Sequence, residues 1–384
     1  MTDAVIATRR LALIGGGQAH LHVLRELARR PIPDVDAVLV APGDHYHSAM
    51  VSGYLQGQYE ESDLRIDLAA LASRAGVRLI RAHADRVDVE SRVVIADGQR
   101  IPFDVCSLDV GCEPAGLDIP GVVEHALTLR PMARAVALRA RLDTLIATAS
   151  QPISIVVVGG GGGGVEVALA LRERLQASVV GGTVSLVEGG TEVLGEFEPP
   201  MRELAARVLR DRGVSLALGG HVTAVSGWVV TLHNGATLPA DLVVWVGGAA
   251  APSIVAKSGL ARDAAGYLLV DRALRAVDGA PVWGAGGCIT VRDFPDVAKA
   301  GVYAVREAPV LERSLRAALG RGRRGRYRPQ GSFLALLNTG GGWALMRWKG
   351  IHRHSRWAWR LKDMIDHRFV RRYQVSDEKG RSAS

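Results

Sequence analysis

The sequence predicts an α/β fold built from two units of mainly parallel sheet, and three observations carry that expectation. Strand-like apolar runs alternate with helix-like amphipathic segments along the body of the chain. Near the N-terminus, LALIGGGQAHLHVLRELARR reads as an apolar strand, a glycine turn and an amphipathic helix. Roughly 145 residues on, ISIVVVGGGGGGVEVALALRERL repeats the pattern with six consecutive glycines at the turn.

Size and composition bound the reading. A chain of 384 residues has room for two or three domains. It is 48% hydrophobic and 22% charged, as soluble globular proteins are. The start, MTDAVIATRRLALIGG, has no charged region ahead of a long apolar core, so no signal peptide is expected. Ile153 to Leu171 has the length of a membrane span, but six glycines and Glu166 argue against one. The three cysteines, Cys106, Cys112 and Cys288, include no C-x-x-C, which suits a reducing cytoplasm and no disulfide framework; no metal site is expected. Residues 321–384 carry 16 Lys and Arg against 4 Asp and Glu, so the basicity lies in a tail. The rest of the chain is net acidic.

The two glycine turns carry the chemistry. Gly15 and Gly17 fit G-x-G-x-x-G/A, with His20 in the third place; Gly159, Gly161 and Gly164 fit it fully. A turn that cradles a pyrophosphate needs one glycine for tightness, one for close phosphate approach and one for helix–strand packing. The helix end then offers free N–H groups and partial positive charge. Gly160, Gly162 and Gly163 have no assigned need. Two such turns imply two Rossmann-like dinucleotide sites, and the usual pair is a flavin and a nicotinamide.

The strand TVSLVEGG ends in Glu188, 24 residues past Gly164, where a carboxylate reaches a ribose 2′-OH and repels a 2′-phosphate. NADH is therefore expected over NADPH. In the first unit AVLVAPGD places Ala41 at that position, with Asp44 three residues on.

In the tail, SFLALLNTG and GWALMRWKG read as a hairpin around Gly340–Gly342. In the helix RWAWRLKDMIDHRFVRRY, Trp357, Leu361, Met364, Ile365 and Phe369 share one apolar face, while Arg360, Lys362, Asp363 and Arg371 point elsewhere. That face either lies on an anionic membrane surface or packs on the body or on a second copy as a homodimer. Nucleic acid is not an expected partner, because RGRRGRYR is brief and no nucleic-acid fold is legible.

Taken together, GGGQAHLHVLR, HYHSAMVSGYLQGQY, FDVCSLDVGCEP, GGGGGGVEVA, LVVWVGGAAAP, GYLLVDRALRAVDGAPVWGAGGC, AKAGVYAVREAPVL and the tail motifs resemble the FAD-dependent pyridine nucleotide–disulfide oxidoreductases. Within that family the chain is most similar to the type II NADH dehydrogenase branch and to flavoproteins fused to selenophosphate synthetase.

The resemblance implies an FAD domain from 1–115 and 253–320, an NADH domain at 150–252 inserted in it, and a C-terminal region at 321–384. Gly15, Gly16, Gly17, Gln18, Ala19 and His20 would then hold FAD, with Val87 at the adenine end and Gly111, Gly286 and Gly287 lining the site. NADH would lie on Gly159, Gly161, Gly164, Glu188, Gly247 and Gly248. Two departures remove polar anchors for FAD: Ala41 at the ribose, and Gly287 where the family pattern has an aspartate toward the ribityl chain. Each missing hydrogen bond costs on the order of 1 kcal/mol.

The loop GDHYHSAMVSG lacks the cysteine pair a disulfide reductase needs, which leaves hydride transfer from NADH through FAD to an acceptor such as a quinone. Glu166 is either a proton relay beside nicotinamide and flavin or a plain helix-end carboxylate. Lys299 is either a cation near the flavin or a surface lysine. His45 and His47 are either proton donors or solvated loop residues. The expected function is an FAD-dependent NADH dehydrogenase, cytoplasmic and peripheral to the membrane. The alternatives are a soluble NADH-dependent reductase with a protein or small-molecule acceptor, and a flavin-free nucleotide-binding relative.

Overall fold

The computed structural model of the chain describes residues 8–375, so the expectation about a leader, which falls on residues 1–7, lies partly outside it. In chain order the first unit runs through β1 (Arg9–Ile14), α1 (Gln18–Arg29), β2 (Val35–Val40), α2 (Val51–Gln56), β3 (Arg78–Ile80) and β4 (Val105–Leu108). The second has β5 (Ala126–Thr128), β6 (Ile153–Val158), α3 (Gly162–Gln176), β7 (Gly182–Glu188), β8 (Val214–Leu218) and β9 (Leu242–Trp245). The chain then returns to the first unit with β10 (Val282–Gly284) and α4 (Gly301–Ala318). It ends in β11 (Ala335–Asn338), β12 (Ala344–Trp348), β13 (Ile351–Ser355) and α5 (Arg356–Tyr373).

Two parallel five-stranded sheets share one plan: β10-β4-β1-β2-β3 and β5-β9-β6-β7-β8. Each central strand is apolar on both faces, as a sheet covered on both sides requires. Leu13 pairs with Leu39 and Ser107, and Val157 with Leu186 and Val244, so the strands end level and each glycine turn emerges at a carboxyl edge. Ligands of open α/β sheets bind at such edges.

Two boundaries differ from the sequence reading. β5 pairs in parallel with β9, so the second unit takes in residues well before 150. Three residues of strand are too short for periodicity to reveal. The tail hairpin forms as expected, with Asn338 opposite Ala344, but β13 adds a third strand to it.

The larger correction concerns α5. Its inward stripe is Ala358, Lys362, Asp366, Val370 and Tyr373, all buried at helical spacing. Trp357, Met364 and Ile365 face solvent at 61%, 60% and 41% exposure, beside Ile351 at 49%. Lys362 thus points in, and most of the apolar stripe points out. Asp363 is also engaged, accepting the Tyr59 hydroxyl hydrogen bond at 2.7 Å.

Candidate active site

The first glycine turn is held tightly. Gly15 has φ +93°, and a Cβ there would lie 2.4 Å from the Asp109 carbonyl oxygen. A Cβ on Gly16 would meet Leu68 Cδ1 at 2.4 Å, and one on Gly17 the Asp109 carboxylate at 2.1 Å. His20 replaces the third glycine and braces the turn instead. Its Nδ1 is 2.7 Å from the Gly15 carbonyl and its Nε2 2.8 Å from Ser107 Oγ. Burial lowers this imidazole to about 4, so it is neutral.

His45 clasps the turn from outside, with Nδ1 2.8 Å from the Gly16 carbonyl. Burial lowers it likewise to about 4, which removes it as a solvated histidine. Its Nε2 and the Gln18 Oε1 are buried without partners among the described residues. A small cavity of about 10 Å³ lies between Gly286, Lys299, Tyr303 and Glu307. Bare backbone, a helix end and two orphaned polar atoms fit a dinucleotide at this turn.

The residues expected further along that site are placed as follows. Gly111 adopts φ +74° after β4, and Gly286 φ +74° after β10. The Val87 N–H donates to Ser258 Oγ at 2.7 Å, so an adenine there would have to displace a serine hydroxyl. Asp44, three residues past Ala41, is held by Arg81 at 2.6 Å and Arg65 at 3.7 Å. Lys299 donates to Thr290 Oγ1 at 2.7 Å and lies over the Tyr267 ring. It is no free surface lysine.

The second turn explains one glycine that had no assigned need, Gly160. Gly159, at φ +111°, abuts Gly247, whose nitrogen would be 2.8 Å from a Cβ. Gly164 is the tightest: a Cβ would sit 1.7 Å from the Gly159 carbonyl oxygen. Gly160 admits Glu188, which a Cβ would crowd at 2.8 Å. The Glu188 carboxylate accepts from Gly160 N–H at 2.6 Å and Gly190 N–H at 2.7 Å, and so stands at the turn itself. Gly161 has only Glu196 within reach, at 3.7 Å, so nothing within the protein demands its bareness. Gly248 links the units, its carbonyl accepting from the Ala115 N–H at 3.3 Å as well as from Arg130 at 2.9 Å.

Where the segment around α2 meets α3, β11 and α5 lies a buried charged cluster. Glu166 Oε1 accepts from the Asn338 N–H at 2.7 Å and from Ser52 Oγ at 3.2 Å, and is 3.9 Å from Lys362 Nζ. Lys362 also pairs with Asp366 at 2.7 Å and donates to the Ala49 carbonyl. Asp366 Oδ1 is 3.3 Å from His47 Nε2, and the His47 ring stacks on Phe369 at 4.3 Å.

Burial raises the Glu166 carboxyl and Lys362 opposes it; the net shift is upward. For Lys362 burial pulls downward, but Glu166 and Asp366 outweigh it and hold the ammonium above its ordinary value. Glu166 is thus no plain helix-end carboxylate. Sequence reading missed Lys362, Asp366, Ser52 and Asn338. The one available signal was a Lys–Asp pair at i, i+4 on the same stripe as Ala358 and Val370.

All three cysteines are free. Cys106 is core on β4, and burial pushes the Cys288 thiol up to about 12, so neither is a ready nucleophile. Among the described residues no cluster suits a metal ion, and no helix is long and apolar enough to cross a membrane.

The pattern of the pyridine nucleotide-disulphide oxidoreductases matches residues 9–308. An NADH dehydrogenase-like protein of Mycobacterium tuberculosis (strain CDC 1551 / Oshkosh) is 31% identical over 75% of this chain and 74% of its own. A demethylphylloquinone reductase of Synechocystis is 25% identical over 72% of this chain and 70% of its own. The structure of NDH2 from Plasmodium falciparum in complex with NADH superposes with a TM-score of 0.81 at 13% identity, covering 95% and 98% of the two chains. That last likeness is one of fold.

Proposed function

The chain belongs to the pyridine nucleotide-disulphide oxidoreductase family, and we propose that within it the protein is an FAD-dependent oxidoreductase taking hydride from NADH and passing electrons to a quinone. The observation that carries this reading is a bare glycine turn at the carboxyl edge of each of the two parallel sheets, each leading straight into a helix. A relative named a demethylphylloquinone reductase supports a quinone as acceptor.

Gly15, Gly17 and the Gln18 N–H at the start of α1 would hold the FAD pyrophosphate, and Gly159, Gly161, Gly164 and Glu188 would hold NADH. Bound FAD would supply the two-electron carrier between nicotinamide and acceptor. The chain's own residues orient both ligands and manage protons. Glu166 keeps a raised carboxyl where α2, α3 and the tail meet, a group able to hold or release a proton there. Lys362 bounds how far that value rises. Glu188, already seated at the turn, favours a ribose hydroxyl over a phosphate.

The first test is the visible spectrum of the purified protein, without air, before and after NADH. A flavin band that bleaches is the expected result. Absence of a band even after incubation with FAD would overturn the reading.

The outward face of α5 gives the proposed route to a lipid-soluble acceptor. Trp357, Met364 and Ile365 present an exposed apolar face of α5 in a strongly basic tail, fitted to the headgroup layer of an anionic membrane. Changing Trp357, Met364 and Ile365 together to serine is expected to abolish pelleting with anionic vesicles. Turnover with a water-soluble quinone should stay within about twofold, since exposed positions contribute little to stability. Unchanged pelleting would rule this face out.

A further inference from the structure

The family resemblance leaves a gap at Gly287, where an aspartate is expected toward the ribityl chain. The structure brings a carboxylate from another strand to the neighbouring Gly286, while Gly287 itself faces Cys112. Asp109 follows β4 directly, its N–H donating to the Ile14 carbonyl at 2.8 Å. Its side chain is buried. Oδ2 accepts from the Ala19 N–H at 2.8 Å and the His20 N–H at 2.9 Å, closing the end of α1. Oδ1 accepts no hydrogen bond from the described residues. It lies between the two glycine turns: a Cβ on Gly286 would come to 2.8 Å from it, and one on Gly17 to 2.1 Å.

A Rossmann turn does not itself demand this carboxylate. The second unit has Val246 in the same place, with its N–H on the Val158 carbonyl at 2.8 Å. Glu307 takes the Gly286 N–H at 2.6 Å from the far side, so that donor is not left for Asp109. Oδ1 is thus left with free acceptor capacity beside Gly17 and Gly286, where a ligand can supply the donor. Burial holds the Asp109 carboxyl up at about 7 against its two helix N–H bonds. It therefore does not impose a full negative charge beside a pyrophosphate at neutral pH.

We propose that Asp109 is the flavin-anchoring carboxylate of this chain, accepting from the ribityl chain the hydrogen bond that Gly287 cannot. The inference rests on the flavoprotein reading above.

The test measures FAD affinity by quenching of flavin fluorescence, with melting followed alongside. D109V copies the second unit's residue and is expected to weaken FAD binding about tenfold or more, as loss of a charged hydrogen bond does. Adding G287D to D109V should recover most of that affinity. The new side chain is tight but admissible, with its Cβ 3.2 Å from the Cys112 nitrogen. G287D alone should bind FAD no better than the wild type, since it sets a second carboxylate beside the first.

Unchanged affinity in D109V overturns the proposal and leaves the flavoprotein reading standing. Loss that G287D does not recover reduces Asp109 to a helix cap, and overturns it too. Should D109V not fold, tighter binding by G287D alone would show that the carboxylate was simply missing. A wild type that binds no FAD overturns both readings.

Discussion

Replacing Lys362 by methionine is expected to be the most damaging single change in the C-terminal region. The ammonium is buried between Glu166 and Asp366, and removing it leaves two carboxylates with no cation. Breaking a buried pair from one side costs about 3–5 kcal/mol. In a chain of this size that lowers the melting temperature by on the order of 10 °C. Asp366 is held below its ordinary 3.8, since Lys362 and His47 outweigh burial, and Lys362 is held above 10.5. Their mutual stabilisation is therefore full between those values. It fades only as pH falls through the depressed carboxylate or rises through the elevated amine, so a melt at pH 7 reads all of it.

The same change should move activity. Without Lys362 the Glu166 carboxyl rises further, and any limb of the rate profile that follows Glu166 shifts to higher pH. A melting temperature within a degree of wild type, or an unshifted profile, would show that the cluster is not coupled as its distances imply.

The second large effect is expected at Gly164. An alanine methyl would fall 1.7 Å from the Gly159 carbonyl oxygen, so α3 must back away from β6 and open the turn. Overpacking of this kind costs 1–3 kcal/mol or more, which predicts NADH binding weaker by about tenfold to a hundredfold. The readout is the NADH concentration that half-bleaches the flavin, with dithionite bleaching as control for an intact FAD unit. Gly161→Ala is the informative partner, because its Cβ would meet only Glu196 at 3.7 Å. A loss there reports the approach of a phosphate rather than a clash within the protein. Equal half-bleaching in wild type and Gly164→Ala would separate this turn from NADH altogether.

Much of the site was legible because it is local. The apolar runs RRLALI and ISIVVV, the glycines behind them and Glu188 at the next strand end lie within single supersecondary units, where spacing alone sets geometry. Gly160 shows the limit of that reading. It looked superfluous until Glu188, from the neighbouring strand, was seen to occupy the space its missing side chain leaves.

By itself, then, the sequence determined two parallel-sheet units with glycine turns at their edges, a basic tail with a hairpin and a helix, and the absence of a paired redox cysteine motif. Those follow from chain-local rules of periodicity, turn geometry and composition. Only the tertiary structure decided which side of α5 faces the body, because a buried carboxylate 196 residues upstream, Glu166, outweighed the pull of the apolar stripe by needing a cation. It also decided that β5 belongs to the second sheet and that Asp109 stands between Gly17 and Gly286. Each of these joins residues far apart in the chain. Their energies come from burial and charge pairing across elements, and no spacing within one element records them.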